Sequence, residues 1–238
     1  MNLQDPNLAK VELIAAALGS LCNELVFVGG CAAGLLMTDP AASMARVTYD
    51  VDLVAEVTAL RGYHEMEAAF AKRGFKRDTA PDAPICRWRY REIEVDLMPT
   101  DASILGFANR WYRAAVTAAN PIDLPNGSKI RLIAAPHFLA TKFEAFTDRG
   151  NADILGSHDL EDIINVIDGR PELPVEIASA SADLQAYLVA RCAALIATPH
   201  FDNYLPGLLT QDESLAERVK ITLTRLQSIV NLTITSNN

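Results

Sequence analysis

The chain has 238 residues, half of them apolar and 21% charged, which excludes a largely disordered protein. That length sits at the upper end of what one core supports, so one compact unit or two tightly packed subdomains is expected. Lys and Arg total 21 against 30 Asp and Glu, a formal net charge of -9 that disfavours a general nucleic-acid coat or a membrane-surface binder and requires any polyanion to meet a local basic patch.

Asp5-Pro6 opens a helix predicted to run to about Leu21; Val11 to Cys22 is apolar enough to suggest a secretion signal, but Asp5-Pro6 and Glu12 break that pattern. Leu25 to Val28 is a short buried strand, Gly29-Gly30 breaks it, and Cys31 to Met37 resumes as a helix of small residues that ends at Asp39-Pro40. Tyr49 to Ala55 reads as a second strand and Thr58 to Arg73 as an amphipathic helix. Ile85 to Met98 reads as two strands turning near Arg91-Glu92, and Ile122 to Ile133 as a hairpin around Pro125-Asn126-Gly127. From Pro136 the spacing turns helical: Pro136 to Arg149, Ser157 to Ile167, then further stretches to about Val230. The expected fold is α+β, a small mixed sheet flanked by helices over residues 1–134, followed by a helical C-terminal subdomain over 135–238.

Cysteines 22, 31, 86 and 192 form no Cys-x-x-Cys pair and have no histidine at ligand spacing, which argues against zinc or a disulfide framework and for a reducing, cytoplasmic setting. No apolar run approaches the roughly 18 residues that span a bilayer, so no membrane partner is expected.

The chemistry concentrates on Tyr49-Asp50-Val51-Asp52-Leu53. Side chains alternate along a strand, so Asp50 and Asp52 share one face, about 7 Å apart at the backbone. Two such carboxylates repel each other unless a cation compensates them, and hard oxygen donors suit Mg2+ or Mn2+. A solvated edge strand would carry the same pattern. Ile93-Glu94-Val95-Asp96-Leu97 repeats it, and if the two strands are neighbours, Asp96 stands about 5 Å from the first pair. Upstream, Gly29-Gly30 joins a strand to a helix start, where backbone amides can approach phosphate; a tight turn would use the same residues. Gly-x-Gly-x-x-Gly and the phosphate-loop Lys-Ser/Thr are both missing, so Rossmann and P-loop readings fail.

Val28-Gly29-Gly30, Arg46-Val47-Thr48-Tyr49-Asp50-Val51-Asp52-Leu53 and the later Asp96 resemble the polymerase-β-type nucleotidyltransferase superfamily. Lys142-Phe143-Glu144-Ala145-Phe146, Arg149 and Ser157-His158-Asp159-Leu160-Glu161-Asp162-Ile163 resemble the downstream motifs of its bacterial AbiEii-like toxin branch. The resemblance spans about Val26 to Ile167, with an interval of nineteen residues between Gly30 and Asp50 and Gly-Gly in place of the commoner Gly-Ser. It implies a nucleotidyltransferase core that moves a nucleoside monophosphate from an NTP to an acceptor hydroxyl on RNA or tRNA, or on a protein. A toxin role with an antitoxin partner is implied as well. Alternatives are an aminoglycoside-type small-molecule acceptor or a non-catalytic nucleotide-binding module. On this resemblance Asp50, Asp52 and Asp96 hold Mg2+ or Mn2+. Gly29, Gly30, Arg46, Thr48, Lys142 and Arg149 meet the nucleotide, and Lys142 and Asp159 support the site.

The residues themselves leave room. An inward-directed Lys142 needs an anion, which a triphosphate would supply, whereas a surface lysine would need none. Ser157 is a good N-cap, so Asp159 could serve the helix dipole alone, and His158 reads as a surface or capping residue. Lys72 to Arg91 carries Lys72, Arg73, Lys76, Arg77, Arg87, Arg89 and Arg91 against Asp78 and Asp82. Arg87, Arg89 and Arg91 alternate with Trp88 and Tyr90, forming a guanidinium stripe that could receive an RNA backbone or a triphosphate, or be a solvated face.

Overall fold

The computed structural model describes residues 4–57, 59–149, 154 and 156–233. Their contacts divide the chain into two compact units: Pro6–Ala32 with Arg46–Ala134, and Met1–Asp5 with Ala33–Ala45 and Ala135–Asn238.

The first unit is built on a seven-stranded sheet with strands β1 (Leu25–Val28), β2 (Asp50–Ala55), β3 (Lys76–Arg77), β4 (Arg87–Tyr90), β5 (Ile93–Pro99), β6 (Asn120–Asp123) and β7 (Lys129–Leu132). They lie in the order β3-β4-β5-β2-β1-β7-β6. β2 runs parallel to β5 and β1 parallel to β7, while the remaining pairs are antiparallel, so the sheet is mixed as expected. Every residue of β1 is buried, which fits its place between β2 and β7. The helices of this unit are α1 (Leu8–Leu18), followed by a 3-10 turn over Gly19–Asn23, α3 (Leu60–Lys72), α4 (Ala102–Leu105) and α5 (Tyr112–Thr117). α2 (Gly30–Leu36) begins in this unit and ends in the other.

Two turns set the register. Arg91, at φ 54°, makes the tight corner between β4 and β5, so that Tyr90 pairs with Ile93 and Arg87 with Asp96. Gly127, at φ 83°, makes the turn between β6 and β7. Tyr63 and Phe70 of α3 are fully buried; Phe70 packs against Phe75 and edge-on against Trp88 of β4, and the Tyr63 hydroxyl donates to the carbonyl of Leu97 at 2.8 Å.

The second unit contains α6 (Ala135–Arg149), α7 (His158–Gly169), α8 (Leu173–Ala178), α9 (Ala182–Ile196), α10 (Phe201–Tyr204) and α11 (Leu215–Val230), with a 3-10 turn at Leu205–Leu208. Phe138, Leu160, Ile164, Leu188 and Leu226 are among its fully buried side chains. The C-terminal end of α7 is held by polar contacts. The amides of Thr38 and Asp39 donate to the carbonyl of Gly169 at 2.8 and 2.9 Å, and Arg218 donates to the carbonyl of Asp168 and to its carboxylate. Arg218 and Asp168 are buried at 4% and 0% exposure, so their pairing is obligatory. Among the described residues no helix is long and apolar enough to cross a membrane.

Candidate active site

The register of the sheet brings the acidic residues together. Asp52 of β2 lies opposite Asp96 of β5, and Asp50 lies opposite Glu94. Parallel strands in this register send Asp50, Asp52 and Asp96 to the same face, and one carboxylate oxygen from each lies within 4.8 Å of the others. Asp96 is 8% exposed; Asp50 and Asp52 are half-buried.

Oxygens bound to a single Mg2+ at about 2.1 Å stand roughly 3–4 Å apart, so donors already this close reach ligand spacing by side-chain rotation. An all-carboxylate donor set suits a hard divalent cation, so these residues fit Mg2+ or Mn2+.

On the other side of β2, Val28 pairs with Asp52, and the chain turns at Gly29 with φ 67°. A Cβ at Gly29 would lie 1.7 Å from Oδ2 of Asp52. Both the left-handed backbone and the Asp52 carboxylate therefore demand glycine here. Gly30 then starts α2, so the glycine pair and the carboxylates meet at one corner of the sheet.

The segment leading into β2 is anchored by Asn7, a residue with no motif to announce it. Its side chain is fully buried, donates to the carbonyl of Arg46 at 2.8 Å and accepts from the amide of Thr48 at 2.9 Å. Lys10 also donates to the carbonyl of Thr48. Thr48, expected at the nucleotide, is 1% exposed and turns its hydroxyl to the carbonyl of Asp50 at 3.1 Å, so it fixes the start of the strand. Arg46 is half-buried beside it.

Arg87 sits over the carboxylates. Its Nε and Nη2 donate to Oδ1 and Oδ2 of Asp96 at 2.9 and 2.8 Å, and Nη1 donates to Oε2 of Glu94 at 2.6 Å. Nη2 also lies 3.7 Å from Asp50 Oδ2. The hydrogen bonds that Arg87 donates to Asp96 outweigh burial and raise the guanidinium pKa still further. The stripe that could have received a phosphate chain, or been a solvated face, thus turns its Arg87 guanidinium to carboxylates of the same sheet. Arg89 is likewise paired, with Asp78 at 2.6 Å and Glu94 at 2.7 Å, and Arg91 belongs to the corner and reaches over the Tyr90 ring. Neighbouring Cys86 is buried, which together with the Asp96 charge pushes its thiol up to about 12.

Lys142 and Asp159 belong to the helical unit. The anion that an inward-directed lysine needs comes from the chain itself: Lys142 Nζ lies 3.0 Å from Asp159 Oδ1 and 2.7 Å from Asp162 Oδ2. Asp162, 1% exposed, is the stronger partner, and the sequence motif named it without singling it out. Ser157 caps α7 through the amide of Leu160 at 3.3 Å, and His158 lies at the surface 3.5 Å from Glu161. The side chain of Arg149 lies outside the described residues, as does Thr58.

No family model matches the chain, and no curated protein matches it. Among solved structures it is similar to the antibiotic-resistance factor ANT(2'')-Ia in solution, at 17% identity and a TM-score of 0.48, covering 82% of this chain and 98% of that one. It is also similar to JHP933 from Helicobacter pylori, at 15% identity and a TM-score of 0.44, covering 96% and 94%. A candidate nucleotidyltransferase from H. pylori is similar at 13% identity and a TM-score of 0.46, covering 97% and 96%. At such identities and TM-scores, the chemistry of this chain has to be read from its own side chains.

Proposed function

We propose that the protein is a metal-dependent nucleotidyltransferase, moving a nucleoside monophosphate from an NTP to an acceptor hydroxyl. The observation that carries the reading is the convergence of Asp50, Asp52 and Asp96 within 4.8 Å of one another, beside the Gly29 corner. The order of the sequence motifs supports it.

Bound at the three carboxylates, Mg2+ or Mn2+ would act as a Lewis acid on the α-phosphate and screen its charge. Asp50 and Asp52, fixed on β2 by the Asn7 anchor, orient that centre. The Gly29-Gly30 backbone amides, beside Asp52 at the start of α2, are assigned to the phosphates, as the resemblance implies. If the acceptor needs a general base, Asp96 is assigned to take the proton as the acceptor oxygen bonds to the α-phosphorus and the bond to pyrophosphate breaks. Lys142 and Asp159 are assigned a supporting role, through the ion pair that fixes α6 to α7.

The acceptor proposed from the toxin resemblance is RNA, especially a tRNA end, or a protein, with an antitoxin as partner. A second reading, a cationic small molecule of the aminoglycoside type, is favoured by one observation. Arg87 and Arg89, two of the three guanidinium groups of the stripe that could have met RNA, are engaged with carboxylates of their own chain, and the net charge is -9.

The test is incubation with each labelled NTP and Mg2+ in the presence of total RNA, cell protein or an aminoglycoside, reading which pool becomes labelled. Asp52→Ala should abolish labelling of every pool while leaving the circular dichroism spectrum unchanged. Undiminished labelling by this variant would refute the assignment.

A further inference from the structure

Two charged hydrogen bonds reach the carboxylate cluster from within the chain. Arg87 occupies both oxygens of Asp96 with two guanidinium N–H groups, touches Glu94 with a third, and lies 3.7 Å from Asp50. The fork geometry of arginine matches a carboxylate in a way that a lysine ammonium does not. An oxygen that accepts from a guanidinium keeps a second lone pair, yet its charge is already partly neutralised, and a metal ion bound there would stand close to the guanidinium's own positive charge. The contact is also placed on a hinge of alternatives. Glu94 stands two residues from Asp96 on the same face of β5, holds Nη1 at 2.6 Å through Oε2, and is itself tied to Arg89 through Oε1 at 2.7 Å.

We infer that Arg87 is a built-in counter-ion that competes with the divalent cation for Asp96, and that Glu94 is the position to which its guanidinium withdraws when the cation binds. The inference rests on the carboxylate cluster being a cation site. Arg87 keeps Asp50, Asp52 and Asp96 compatible with folding before the metal arrives, and it sets a threshold that the ion must exceed. No bond is made or broken: one cation replaces another on Asp96 while Arg87 retains its pair with Glu94.

The role separates from general electrostatics through charge-conserving substitution. Arg87→Lys keeps the positive charge on β4 but loses the fork, so it should hold Asp96 less firmly. Mn2+ titration of the full chain without nucleotide, followed by loss of the free-ion electron paramagnetic resonance signal, reads this directly. Both Arg87→Lys and Arg87→Gln should bind Mn2+ roughly tenfold more tightly than the parent, the scale of one charge-assisted hydrogen bond. Glu94→Gln should bind more weakly, because Arg87 then leans wholly on Asp96. Arg89→Gln, whose partners are Asp78 and Glu94, should stay within about twofold.

In EDTA, Arg87→Gln should melt below the parent, and Mn2+ should raise its melting temperature by more degrees than it raises that of the parent. Equal Mn2+ affinity in Arg87→Lys and the parent would overturn the competition while leaving the metal site standing. Failure of the parent and all variants to bind Mn2+ would overturn the metal site as well. Arg87→Lys carries the test alone if Arg87→Gln does not fold.

Discussion

Gly29 shows how much of the site hangs on single atoms. Its φ of 67° costs an L side chain about 1–2 kcal/mol, and the added methyl would fall 1.7 Å from Asp52 Oδ2, so the carboxylate has to move. Gly29→Ala should therefore lower stability in urea by at least that amount and reduce transfer more steeply than stability. Repeating the substitution in an Asp52→Gly background isolates the second effect: there it should cost only the backbone penalty. If the two costs are equal, the Gly29–Asp52 contact is not what fixes the carboxylate. Asn7 works at the same scale but was invisible in the sequence, because an asparagine in a helix-opening segment looks like a cap. Only the fold shows it bridging to Arg46 and Thr48, some forty residues downstream.

Between elements, the ion pair of Lys142 with Asp162 and Asp159 joins α6 to α7. Burial alone would lower the lysine pKa, but the two carboxylates outweigh it and the value is raised above 10.5. A raised pKa contributes stability that is fully present below the unfolded value and lost as pH rises through the folded one. Lys142→Met leaves Asp162 buried without its cation, so it should cost about 3–5 kcal/mol in equilibrium unfolding at neutral pH. The variant should also lack the steep alkaline loss of the parent above about pH 10; a parallel decline in both proteins would place the titration elsewhere. The elements that build the site were legible because their alternation is strong: β1, β2, the β4–β5 corner and β7 fall within a residue or two of their expected places. β3, α4 and α5 were not, since two to six residues carry too few periods to declare themselves. Nor could the sequence say that Arg87 would pair with Asp96. Alternation places guanidinium groups on a face, but only the register with β5 decides whether that face meets water or carboxylates.

At the scale of the whole chain, the helical unit is discontinuous in sequence. Residues 135–238 supply its helices, but Ala33–Ala45 contributes polar groups that they cannot replace. Asp39 Oδ2 lies 2.9 Å from Arg218 and 3.6 Å from Arg225, the amides of Thr38 and Asp39 close the end of α7, and Arg170 donates to the carbonyl of Leu36. Without that strap, the Arg218 guanidinium at 4% exposure keeps only Asp168, itself fully buried, and the last carbonyl of α7 loses both its donors. A fragment of residues 135–238 should therefore be helical by far-ultraviolet circular dichroism yet melt broadly, without the sharp transition of the full chain. Adding a peptide covering residues 33–45 should sharpen the melt, and Asp39→Asn in that peptide should weaken the effect. A cooperative transition in the bare fragment would show that the helices hold their buried charges in place without the strap.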